Sequence, residues 1–117
     1  APVRTAPRCR VSGPADPHRT VAATRVDDVS VPDVAPGAVE VLQLDGVVWG
    51  YGFACPGCGQ RSFLALGAEN PSPRWSVAAG DVRDPSTVTL SPSIFHTKER
   101  GGCGWHGWLR AGSFVPC

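Results

Sequence analysis

Phe53-Ala-Cys55-Pro-Gly-Cys58-Gly59, followed across residues 59–102 by Cys103-Gly-Trp-His106-Gly107, decides how this 117-residue chain folds. In each stretch two soft ligands are separated by two residues, a spacing that lets a tight turn point both side chains at one centre. Glycines at 57, 59, 101, 102, 104 and 107 crowd both half-sites, where the backbone must turn sharply or approach closely. The pattern predicts a zinc ion held by Cys55, Cys58, Cys103 and His106. Four protein ligands fill a tetrahedral shell and leave no position for an activated water, so the metal is expected to be structural. Its binding free energy, about 10–16 kcal/mol in small finger peptides, exceeds what a core of this size nets. A redox dithiol is the first rival, but no helix follows Cys58 to lower a thiol pKa. A disulfide framework is the second, disfavoured by five cysteines, an odd number. Cys9 and Cys117 stand outside both pairs and read as ordinary thiols, with a bridge between them or ligand exchange as the alternatives.

Around these pairs the chain shows short apolar runs broken by Gly, Asp and Pro. Val39–Leu44 and Val47–Phe53 read as strands joined by Asp45-Gly46, a signal for a type I′ turn because both positions tolerate positive φ. Short strands follow at Ser62–Leu66, Trp75–Ala78 and Thr87–Leu90. A final hairpin, Trp108–Arg110 with Ser113–Val115, turns at Ala111-Gly112. Stretches 67–73 and 95–102 read as loops. With 14 glycines and 12 prolines and no sustained 3.6-residue period, helices are not expected. The fold class is therefore mainly β: a small antiparallel, zinc-ribbon-like domain with a long insertion, spanning 38–117. Residues 1–37, rich in Pro and without periodicity, read as an extended N-terminal arm.

The net charge of +1 hides an asymmetry. Arg4, Arg8, Arg10, Arg19 and Arg25 face a single acid, Asp16, in the first 25 residues, while the remainder is net acidic. No broad basic face is expected beyond the arm. No apolar run is long enough for a bilayer, and the N-terminus lacks the apolar stretch of a secretory signal. These features predict a cytoplasmic protein without a membrane partner.

The order FACPGCG (53–59), Trp75, TLSPSI (89–94) and CGWHGWLRAG (103–112) resembles a family of small bacterial and bacteriophage zinc-knuckle proteins, some labelled ammonia monooxygenase. The resemblance covers residues 36–117 and implies the zinc ligands and an association with phage. The monooxygenase label finds no support in the residues, since a Cys3His shell closed around zinc offers neither a redox metal nor an open position.

Ser91, Ser93 and His96 suggest a nucleophile and a base, but without an orienting carboxylate at recognisable spacing they read as a Ser-Pro-Ser turn and a loop histidine. His18 reads as solvated, and Asp27, Asp28 and Asp33 as a solvated face without calcium-loop spacing. Most of the four tryptophans and four phenylalanines are expected in the core and around the zinc. Trp105 and Trp108 flank His106 and, with Arg4, Arg8 and Arg10, are the expected partner contacts. The functional expectation is a non-enzymatic, zinc-stabilised structural or binding module. It would be phage-encoded and dock on a protein assembly such as a capsid, a tail or the virion as a whole. Nucleic-acid binding through the Arg-rich arm is the first alternative, testable by its salt dependence. A small metalloenzyme is the second.

Overall fold

The computed structural model describes residues 20–67, 70, 73–97 and 101–117. Among these residues ten strands follow one another: β1 (Val21–Ala22), β2 (Thr24–Arg25), β3 (Ala38–Leu44), β4 (Val47–Ala54), β5 (Arg61–Ala65), β6 (Ser76–Ala79), β7 (Thr89–Ser91), β8 (Ile94–Phe95), β9 (His106–Arg110) and β10 (Ser113–Pro116). They form a sheet in the order β1-β10-β9-β8, a second in the order β2-β3-β4-β5, and a β6-β7 ribbon. All pairings are antiparallel except β2 with β3 and the Leu66–Trp75 bridge. The mainly β expectation holds.

Both expected hairpin turns form. Asp45 and Gly46 take φ of 52° and 78°, and Ala111 and Gly112 take 47° and 79°. Paired positive φ values match the twist of the strands they join. The expected strand Thr87–Leu90 starts only at Thr89, because Pro85–Thr87 forms a 3-10 turn. Asp84 caps that turn, accepting from the Ser86 N–H at 3.2 Å and the Ser86 hydroxyl at 2.5 Å. Phe95, expected in a loop, belongs instead to β8 and lies opposite His106.

Residues 20–37 do not stand apart from the body. Val21 and Ala22 pair with Phe114 and Ser113, and two residues later Thr24 and Arg25 run beside Ala38 and Val39. Ala23, 3 % exposed, is buried between the two pairings. This segment thus joins both sheets, while Arg4, Arg8, Arg10 and His18 lie outside the described residues.

The core fills the space between the sheets. In β4, Tyr51 and Phe53 alternate with Gly50 and Gly52, so large rings point into the core while the glycine face, with Ala54, is covered by a smaller cluster of Val29 and Ala38. Phe53 stacks on Phe114 from the other sheet with centroids 5.6 Å apart, and Trp105 meets Phe114 edge-on at 6.0 Å. Trp75, Val88, Leu90, Ile94 and Leu109 complete the cluster. Burying side chains of this size contributes roughly 1.5–3 kcal/mol each.

Candidate active site and metal centre

Two short segments carry the site: β8 with the residues around it, and the run from Cys103 into β9. Phe95 pairs with His106, and the ladder continues outward, with the His96 N–H donating to the Trp105 carbonyl at 2.8 Å and the Gly104 N–H to the His96 carbonyl at 2.7 Å. Along paired strands successive side chains alternate faces. Ile94, Trp105, Gly107 and Leu109 are accordingly buried, whereas His106 and Trp108 are half-buried and Arg110 is exposed. Phe95, His106 and Trp108 therefore belong to the outer face, with Ser93 on the same side by alternation although only 4 % exposed, and His96 belongs to the inner one.

On the inner side, the ligand atoms of Cys55, Cys58, His96 and Cys103 all lie within 4.8 Å of one another. The Cys55 and Cys103 sulfurs are 3.7 Å apart and not bonded. Two thiolates at about 2.3 Å from a tetrahedral ion would be separated by about 3.8 Å. The first knuckle closes through the Gly59 N–H to the Cys55 carbonyl at 2.7 Å, and the Gly57 N–H points at the Cys55 sulfur at 3.4 Å. A side chain is excluded at two glycines. A Cβ on Gly57 would lie 2.8 Å from the Cys103 sulfur, and one on Gly102 would lie 2.5 Å from the His96 ring.

His96 is fully buried; its Nε2 is 2.9 Å from Ser62 Oγ, and its Nδ1 has no hydrogen-bond partner. A buried histidine with one unsatisfied ring nitrogen, in a group with three cysteines, fits a metal ligand. Burial pushes the Cys55 thiol up to about 12 and raises Cys103 as well. Such thiols ionise readily only against a cation. These four residues can hold a metal ion, and His106, the expected fourth ligand, is not among them.

His106 lies on the outer face instead. Its Nε2 is 3.2 Å from Ser93 Oγ and its Nδ1 is 3.3 Å from the Cys117 sulfur. Cys117 is disulfide-bonded, which corrects its reading as an ordinary thiol; Cys9 lies outside the described residues. A disulfide sulfur has no proton to give, so it can only accept from Nδ1–H. That arrangement leaves the Nε2 lone pair to accept the Ser93 O–H. Burial lowers the His106 pKa, favouring the neutral ring that can take a proton. Phe95 and Trp108 flank the ring with centroids at 5.3 and 6.3 Å, and the Arg110 guanidinium sits 4.1 Å over Trp108. The Trp75 indole N–H donates to the Ser93 carbonyl at 3.2 Å, fixing the backbone that carries the hydroxyl.

Of the expected partner contacts, Trp105 is 2 % exposed and packs in the core, so it offers no surface anchor. Trp108 is half-buried beside His106. The serine read as part of a turn, 4 % exposed, is the residue whose hydroxyl meets the half-buried His106. The sequence signal was present in Ser93, His96 and His106, but the pairing of β8 with β9 was needed to say which histidine meets which partner.

The chain belongs to a family described as the bacterial ubiquitination-like system serine protease (BubE), whose model matches residues 25–117. Nothing among curated proteins or solved structures matches it. The family corrects the expectation of a phage-encoded module docking on a virion: its description is that of a serine protease of a bacterial system. That description also conflicts with the expectation of a chain that is not an enzyme.

Proposed function

We propose that the chain is itself a serine hydrolase of this family, with Ser93 as nucleophile and His106 as general base. The observation that carries the reading is the 3.2 Å approach of Ser93 Oγ to His106 Nε2 on the outer face of β8 and β9. In the reaction the Ser93 oxygen attacks the substrate carbonyl carbon while its proton passes to His106 Nε2. His106 returns that proton to the leaving amine as the C–N bond breaks, leaving an acyl group on Ser93. Water, deprotonated by the same nitrogen, then releases the acid and restores the serine. The Cys117 sulfur occupies the orienting position that a carboxylate holds in the usual triad, and it steadies the ring tautomer without adding charge. The family description supports a peptide or isopeptide bond of a ubiquitination-like system as the substrate.

Cys55, Cys58, His96 and Cys103 would hold zinc, the ion suited to a tetrahedral shell of three sulfurs and one nitrogen. With four protein donors the role is structural: it ties the end of β4 to the strands that carry Ser93 and His106.

A fluorophosphonate probe tests the reading without a known substrate. Mass spectrometry should find one adduct, on Ser93, absent from Ser93→Ala and strongly reduced in His106→Ala. Failure to label the folded protein, or labelling elsewhere, would refute it.

A further inference from the structure

A second serine–histidine contact among the described residues is not used by this reaction. Ser62 and His96 are both 0 % exposed, and Ser62 Oγ lies 2.9 Å from His96 Nε2. Ser62 stands on β5 opposite Phe53 of β4. Cys55 follows Phe53 by two residues, so the alternation of the strand puts Ser62 and Cys55 on one face, toward His96. A substrate has no route to a hydroxyl buried there, and the other ring nitrogen of His96 is left without a protein partner.

We infer that Ser62 is a positioning residue: its hydroxyl accepts the Nε2 proton of His96 and holds the ring so that the Nδ1 lone pair faces Cys55, Cys58 and Cys103. The inference rests on the metal reading above and assigns the ligating atom within it. A neutral imidazole has one protonated nitrogen, and whichever one is held by a neighbouring acceptor leaves the other for the metal. In Ser62→Ala the Nε2–H would be buried without an acceptor, and the ring would be released to turn or change tautomer. Because His96 is three residues from Ser93 and is bonded to Trp105, beside His106, Ser62 also helps set the register on which the outer pair depends.

Full-length protein labelled with 15N and loaded with 113Cd tests this. Wild type should show cadmium coupled to His96 through Nδ1, and a slowly exchanging Nε2 proton. Ser62→Ala should bind cadmium and zinc about 10- to 100-fold more weakly in chelator competition. The core variant Val41→Ala, destabilised by packing alone, should keep wild-type metal affinity. Coupling through Nε2, or a change of less than threefold in Ser62→Ala, would overturn the role of Ser62 while leaving the metal site intact. No cadmium bound by the folded wild type would overturn the metal reading itself. If Ser62→Ala does not fold, the wild-type coupling and proton exchange decide: a rapidly exchanging Nε2 proton overturns the inference.

Discussion

The inner and outer sides of the β8–β9 pair each hold a buried serine against a histidine, and the exposure of the histidine and its remaining ring nitrogen tell them apart. Inside, Ser62 and His96 are fully enclosed, the His96 Nδ1 has no hydrogen-bond partner, and the ring lies among three cysteines. Outside, Ser93 meets a half-buried His106 whose other nitrogen already has a partner. A short Ser–His distance is thus no sign of catalysis by itself. The 2.9 Å contact is the tighter of the two, and both of its residues are fully enclosed.

The sharpest way to break this contrast is to remove each hydroxyl in turn. Ser93→Ala should abolish turnover, by about 10^4-fold or more, with unchanged metal content, whereas Ser62→Ala should act first on metal affinity; rates measured on zinc-saturated protein separate the two. Stripping the inner site with a strong chelator comes next. It should lower the melting temperature by about 10 °C or more, because a structural ion contributes folding free energy directly, and it should abolish probe labelling of Ser93. Retention of both would mean that the inner group is not a metal site on which the outer one depends.

A smaller effect is expected from pH. Burial lowers the His106 pKa, and a general base of the proposed kind works as the neutral ring. Labelling should therefore be level above pH 6.5, the usual histidine value, and should decline only as pH falls through a midpoint below it. A midpoint above 6.5 would argue for a nearby negative charge in place of burial. The smallest expected change is at Ala111, held at a φ of 47° in the outer hairpin turn. Ala111→Gly should stabilise the protein by about 0.5–1 kcal/mol, seen in thermal melts, and touch neither pair.

Most of the strand framework could be read from local chemistry. Asp45-Gly46 and Ala111-Gly112 each mark their own turn, and Tyr51 and Phe53 announce a strand with its rings in the core. Cys55 and Cys58 lie together because a C-x2-C turn converges whatever surrounds it, and Cys103 lies with them. His106 does not, because C-x2-H resembles such a turn only while both residues lie in it. Here Trp105 is already in the ladder with His96, so His106 starts a strand and faces away from Cys103. The parity of two paired strands, set by Phe95 opposite His106, is a long-range fact that spacing along one strand does not contain. The same register hid Ser93, whose partner lies 13 residues away on the neighbouring strand. Residues 20–37 were misleading for another reason: two-residue strands carry too little periodicity to be seen.

The central claim is that the two histidines have separate duties, and the metal content of His96→Ala and His106→Ala, determined by elemental analysis after gel filtration, tests it most directly. His106→Ala should retain one equivalent of zinc as tightly as wild type, and His96→Ala should lose it. Zinc lost from His106→Ala and retained by His96→Ala would contradict the account.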